Sequence, residues 1–114
     1  MKDVKKLQKL LQILGDANRL KILHLIGDKE LAVSEIVAEV NLSQPLVSHH
    51  LKAMKDNSLL SVTRKGPFIY YRVTDPQLLD VLGILSDMAQ NIEEQLSDEP
   101  MFRCPPWWRK MNKK

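Results

Sequence analysis

Two helical stripes of apolar residues meet across a connection of only two residues, and this spacing constrains the fold more than any other feature of the chain. Val33, Ile36, Val37 and Val40 recur at spacings of three and four, so they line one side of a short helix. Asn41 and Leu42 follow as the connection. Ser43 then offers a hydroxyl to cap a second helix, with Pro45 in a first turn where a missing N–H costs little. At about 100° per residue, Val47, His50, Leu51 and Met54 share one stripe of that helix. Two short helices joined by so tight a turn form the helix-turn-helix pattern.

The flanks fit around this pair. Val4, Leu7, Leu11 and Leu14 give a first helix with an apolar stripe, stopped by Gly15. Asp16 can cap a second, whose buried face is read as Leu20, Ile22, Leu23 and Ile26, up to Gly27. His24 falls near that stripe and reads as a core-edge histidine. After Asn57 the period changes to alternation: Leu60, Val62 and Arg64 alternate with Ser61 and Thr63, Lys65-Gly66-Pro67 punctuates, and Phe68 to Val73 resumes with β-branched and aromatic residues. This is a β-hairpin in which one of Tyr70 and Tyr71 packs inward and the other faces out. Thr74 or Asp75 then caps a long helix with Pro76 in its first turn, along which Leu78, Leu82, Leu85, Ala89, Ile92 and Leu96 form the seam of a packed helix pair. The expected class is mainly α with a small β-hairpin, in the order α-α-α-α-β-β-α, a winged helix-turn-helix. It spans residues 1–96, and residues 97–114 form a Pro-, Trp- and Lys-rich tail without periodicity.

Composition narrows the setting. With 114 residues and 44% of them hydrophobic, one domain can fill its core without disulfides or a metal. Cys104 is the single cysteine, which rules out an intrachain disulfide or a cysteine cluster of zinc-site spacing and suits a reducing, cytoplasmic setting. The apolar residues of the first helix are interleaved with charge, so neither export nor membrane insertion is expected. The net charge of +3 hides a segregated distribution. Lys2, Lys5, Lys6 and Lys9 crowd the start, whereas residues 75–99 carry Asp75, Asp80, Asp87, Glu93, Glu94, Asp98 and Glu99 with no Lys or Arg.

The helix-turn-helix supplies the candidate chemistry. Opposite the apolar stripe of its second helix lie Pro45, Ser48, His49, Lys52 and Asp56, with Gln44 at the N-terminal tip. Gln44 can pair with adenine, Ser48 can bond several base edges, and Lys52 suits guanine or phosphate. Such a helix can enter a major groove by its N-terminal half. Lys55 adds a cation, and Arg64 and Lys65 beside Gly66 place two more on the hairpin for phosphates or an adjacent minor groove. The expected DNA-binding set is thus Gln44, Pro45, Ser48, His49, Lys52, Lys55, Arg64 and Lys65. Catalysis by Ser48 with His49 is not expected, because sequence neighbours on a helix diverge by about 100° and no third group orients the imidazole. The competing reading is a protein-docking module whose basic hairpin binds an acidic partner.

The motifs resemble one known family. LGDANRLKILHLI is similar to the opening motif LADPTRLRIL of the ArsR/SmtB group of bacterial winged helix-turn-helix repressors, and LSQPLVSHHLKAMKDNSLLSVTRKGPFIYYRV resembles that group's recognition helix and wing. The likeness spans roughly Leu14 to Val73. It implies a homodimer, built on the first and last helices, that reads a double-stranded DNA operator, with Gln44, Ser48 and His49 at positions that meet bases. The dimer is then expected to be held by Val4, Leu7, Leu11, Leu82, Leu85, Ile92 and Leu96, with the basic first helix and acidic last helix favouring that pairing.

The family's usual effector ligands are missing. Where relatives read ELCVCDL, this chain reads ELAVSEI, so Ala32 and Ser34 replace both thiolates of the usual arsenic or cadmium site. In the last helix Asp80 is followed by Leu82 where zinc or cobalt sensors need a histidine, and no histidine follows His50. Neither metal nor cofactor is expected. The tail, with Cys104, Trp107 and Trp108, reads either as a cover for an apolar patch or as a lid over a small-molecule or thiol-reactive effector site.

Overall fold

The computed structural model describes residues 3–97, with side chains as far as Ile92. Its elements run α1 (Val4–Leu14), α2 (Ala17–Ile26), β1 (Leu31–Ala32), α3 (Val33–Val40), α4 (Gln44–Asp56), β2 (Leu60–Lys65), β3 (Phe68–Val73) and α5 (Gln77–Ser97). Among the described residues no helix is long and apolar enough to cross a membrane. Residues through Leu79 form one unit and the helix from Asp80 onward forms another.

Local chemistry explains the boundaries. Asp3 accepts from the Lys6 amide at 3.0 Å, and one Asp16 carboxylate oxygen accepts from the amides of Asn18 and Arg19 at 2.8 and 3.1 Å. Each satisfies donors that the first helical turn leaves free. Ser43 Oγ accepts from the Leu46 amide at 3.4 Å to open α4. The tight turn before it depends on Asn41, which closes α3 at φ 56° and ψ 41°, a left-handed conformation that asparagine tolerates better than most residues. At the far end of α4, Asn57 Nδ2 donates to the Ala53 carbonyl at 2.7 Å.

The core lies where α2, α3 and α4 meet the base of the hairpin. Ile22, Leu23 and Ile26 from α2, Ile36 from α3, and Val47, Leu51 and Met54 from α4 are fully buried, with Leu60 and Val73 closing the sheet side. Burying each such side chain contributes about 1.5–3 kcal/mol before entropy is charged against it. The sequence reading of α2 needs correction. Leu20 and His24 are both exposed, because Ile22, Leu23 and Ile26 centre the inner face and the helical turn carries residues 20 and 24 away from it. Arg19 takes the inner position instead.

The hairpin is as expected but belongs to a larger sheet. β2 and β3 pair antiparallel from Leu60↔Val73 to Lys65↔Phe68. Gly66 and Pro67 form the two-residue loop, and Gly66 has φ 62°. A glycine with positive φ followed by a proline fixed near φ −65° has the φ signs of a type II′ turn, whose twist suits a hairpin. A third strand, β1, adds to the other edge with Leu31↔Tyr71 and Ala32↔Tyr70, giving the order β1-β3-β2. Two residues are too few to show an alternating period. As β3 is central, Tyr70 and Tyr71 are both half-buried, in place of the expected inward and outward pair.

α5, taken by itself, opens with Asp75 accepting from the Gln77 amide at 2.9 Å. Its exposed apolar face is Val81, Ile84, Leu85, Met88 and Ile92. Five residues within about 100° of arc make a broader strip than the seam read from the sequence, and Leu82 and Ala89 sit at its margin.

Candidate nucleic-acid interface

The outer stripe of α4 emerges as one surface. Gln44, Pro45, Ser48, His49 and Lys52 are all exposed, as are Lys55 and Asp56, while Val47, His50, Leu51 and Met54 on the opposite side are buried. The histidine doublet is therefore divided by the helix itself: His49 faces solvent beside Ser48 and Lys52, and His50 faces the core. Their rings still touch edge to face, with centroids 5.6 Å apart. α4 owes its position to α3 through the Asn41 turn and to the core through Leu51 and Met54.

His50 is not merely a packing residue. Its Nδ1 accepts a hydrogen bond from Arg19 Nε at 3.2 Å, and Arg19 Nη1 donates to the Ile13 carbonyl at 3.4 Å. One guanidinium thus ties the C-terminal turn of α1 and the first turn of α2 to the middle of the candidate reading helix. Accepting at Nδ1 requires that nitrogen to be unprotonated, so a neutral ring carries its proton on Nε2. That atom is buried and has no hydrogen-bond partner among the described residues. Burial holds the His50 imidazole below its ordinary pKa of 6.5, the nearby Arg19 and His49 push the same way, and Asp16 opposes them.

The wing presents its two cations differently. Register pairs Thr63 with Tyr70 and Arg64 with Ile69, so alternation sends Lys65 to the face of Thr63 and Tyr70 and sends Arg64 to the other. Arg64 is exposed. Lys65 Nζ instead lies 2.7 Å from Glu30 Oε2 and 5.2 Å from the centre of the Tyr70 ring. The hydrogen bond from Lys65 holds the Glu30 carboxyl below its usual range, and Glu30 in turn raises the Lys65 ammonium. The eight residues read from the sequence as DNA-binding thus fall into six along α4, one exposed wing cation with no ion pair among the described residues, and one wing cation engaged by an acid.

Glu30 and Arg19 were not among the sequence candidates. Arg19 had a visible signal, since it falls between Ile22, Leu23 and Ile26 on the helical wheel and a guanidinium drawn partly out of water needs acceptors. Glu30 had none, because its partner lies 35 residues away across a strand too short to read. Among the described residues no group of three or more His, Cys, Asp or Glu side chains converges. Ala32 and Ser34, at the family's thiolate positions, are buried and exposed respectively. Cys104, Trp107 and Trp108 lie outside the described residues, as does the side chain of Leu96.

The family described as bacterial regulatory protein, arsR family, matches residues 16–62, from the cap of α2 into β2. The arsenical resistance operon repressor of Staphylococcus aureus is 34% identical to this chain over 88 residues, which cover 77% of this chain and 78% of the repressor. The chain belongs to the arsR family of bacterial regulatory proteins. Its fold agrees with that of solved relatives. NolR from Sinorhizobium fredii superposes with a TM-score of 0.67 at 30% identity, covering 74% of this regulator and 84% of NolR. The homodimeric winged helix-turn-helix DNA-binding domain Mb0332 from Mycobacterium bovis gives a TM-score of 0.69 at 24% identity, covering 76% of this regulator and 81% of that domain, a likeness of fold. Family and fold are those of transcriptional regulators, not of enzymes.

Proposed function

We propose that this regulator is a homodimeric repressor that reads an inverted-repeat operator in double-stranded DNA through α4 and grips the flanking backbone with its wing. The observation that carries the reading is the division of α4. Gln44, Ser48, His49 and Lys52 stand together on an exposed face while the opposite face is fixed in the core, so polar groups that can bond base edges are held on a rigid element. Pro45 shapes the same surface, Lys55 and Arg64 suit phosphates, and Lys65 can join them by leaving Glu30.

Dimer formation is supported by apolar surface that neither unit buries for itself. On α1, Val4 and Leu11 are exposed, and an open apolar groove runs along Val4, Leu7, Gln8, Leu11 and Gln12. On α5, Val81, Ile84, Leu85, Met88 and Ile92 are exposed. We assign the subunit interface to these two faces, retaining Val4, Leu7, Leu11, Leu85, Ile92 and Leu96, with Leu82 at the margin. Residues 1–96 then act as one regulator, with residues 97–114 as a tail. Ala32 and Ser34 in place of the α3 thiolates argue against an arsenic or cadmium effector, and a non-metal effector, a small molecule or a thiol-reactive compound, is the reading retained.

Selection of bound duplexes from a random pool tests the reading. A two-fold dimer should enrich an inverted repeat whose half-sites lie ~10 bp apart, or a multiple of that. Binding should also weaken steeply as salt rises. Enrichment of no sequence at all would refute it.

A further inference from the structure

The regulator buries one titratable ring that base reading does not use. His50 sits on the inner face of α4, accepts from Arg19 and leaves Nε2 without a partner among the described residues. Arg19 has a second commitment, to the carbonyl of Ile13 in the last turn of α1, and its own amide donates to the Asp16 cap. Three helices therefore share one guanidinium, and two of them have assigned tasks: α1 in the dimer and α4 in reading DNA. The α4 end of this tie is an imidazole nitrogen, an acceptor that a single proton removes.

We propose that Arg19 is a positioning residue for operator reading, which holds the recognition helix against the dimerisation helix through His50, and only while His50 is neutral. The proposal rests on the reading of α4 as the DNA-contacting helix. Protonation of His50 at Nδ1 turns the acceptor into a donor and places a cation against the guanidinium that had donated to it. The hydrogen bond from Arg19 Nε is lost and replaced by repulsion between like charges. Of the charged and titratable groups that act on His50, Arg19 and His49 oppose its protonation and Asp16 favours it. Asp16 keeps its charge while it accepts from the amides of Asn18 and Arg19 and offsets part of the repulsion, but burial together with the two cations leaves the balance against the proton. The charged ring does not keep its place against Arg19 in the core, and α4 shifts with it. Acidification thus weakens specific binding, with the loss beginning as the pH falls through the titration of His50 in the folded protein and growing below it.

Position separates this device from the neighbouring histidine. His49 faces the same way as Ser48 and Lys52 on the exposed surface of α4. Of the two histidines, adjacent in sequence, only the buried one is bonded to Arg19.

The test uses the full-length dimer and the duplex most enriched in the random-pool selection, with a scrambled duplex as control, followed by fluorescence anisotropy from about pH 7.5 to about pH 5 at fixed salt. If no duplex is preferred at the higher pH, the operator reading itself fails. If one is preferred, the preference should fall by about tenfold for each pH unit below the His50 titration, which an NMR titration of the free dimer locates. His49→Ala should keep this acid loss. His50→Asn, whose amide oxygen takes the place of Nδ1 as a non-titrating acceptor, should bind with a flat profile, and Arg19→Met should bind weakly and equally flatly. A wild-type preference that stays within about twofold across the titration overturns the proposal, and so does an acid loss that disappears in His49→Ala. Should either core variant fail to fold, the wild-type and His49→Ala profiles, read against the NMR titration, decide the matter.

Discussion

Glu30→Gln is the change whose effect on DNA binding can be worked out most directly from the wing. In the free regulator Lys65 Nζ lies 2.7 Å from Glu30 Oε2, so the two charges cancel as seen from a nearby phosphate. Hydrogen bonding to Lys65 lowers the Glu30 carboxyl from 4.5, and Glu30 raises the Lys65 ammonium from 10.5. The sign of both shifts means that the pair is intact throughout neutral pH and is lost only when acid reaches the lowered carboxyl or base reaches the raised ammonium. The side chains keep 60% and 32% of their surface in water, so the pair is exposed enough for a phosphate to compete for the lysine. When it does, the wing gains one phosphate contact and uncovers one carboxylate, with almost no net change in charge near the backbone.

Replacing that carboxylate by an amide leaves Lys65 as an uncancelled cation. One additional phosphate neutralised adds about 0.9 to the slope of log affinity against log salt. Between about 50 and about 200 mM salt the variant should therefore lose about 3.5-fold more affinity than the wild type, and it should bind more tightly at the low-salt end. Anisotropy titrations on one selected duplex measure both slopes. Lys65→Gln should abolish the difference, since the double variant has neither charge. Parallel slopes for wild type and Glu30→Gln would refute the reasoning, as would weaker binding by the variant at low salt, which would mean that Glu30 holds the wing in the productive arrangement.

Other perturbations reach the remaining parts of the argument. His49→Ala removes an exposed side chain from the reading face and should lower discrimination between selected and scrambled duplex by about 1–3 kcal/mol, with an unchanged denaturation midpoint. Leu51→Ala empties a fully buried position in the middle of α4 and should cost about 2–5 kcal/mol of stability in urea unfolding, so a variant as stable as wild type would contradict the assigned core. Ile84→Glu puts a charge in the exposed α5 strip and should shift sedimentation toward monomer while helical content by circular dichroism stays near wild type, whereas an undisturbed dimer would move the interface elsewhere. Because the folded state holds His50 below 6.5, an unfolded chain binds more protons there as pH falls beneath that value, so stability is lost on acidification and fully retained above it. His50→Asn should flatten that part of the stability profile, as thermal melts at several pH values would reveal.

What could be read in the sequence, and what could not, follows the range of the interactions. The caps at Asp16 and Ser43, the turn at Asn41 and the change of period after Asn57 are local, each decided within a few residues, and the helices and hairpin lie where those signals put them. The division of α4 is local as well, since 100° per residue separates His49 from His50 before any tertiary contact forms. The failures needed partners. Leu20 and His24 were placed on a stripe whose centre only packing fixes, β1 exists only because β3 is there to pair with it, and Lys65 looked like a free cation until the sheet brought Glu30 to it. Arg19 marks the boundary between the two cases. Its place between Ile22 and Leu23 on the inner face is legible, and a guanidinium there must find acceptors, but which acceptors depends on contacts with residues 6 and 31 positions away. That one acceptor is a carbonyl and the other an imidazole makes the difference for function: a carbonyl in place of His50 would give the same tie between α1, α2 and α4 at every pH, whereas the imidazole lets a proton undo it.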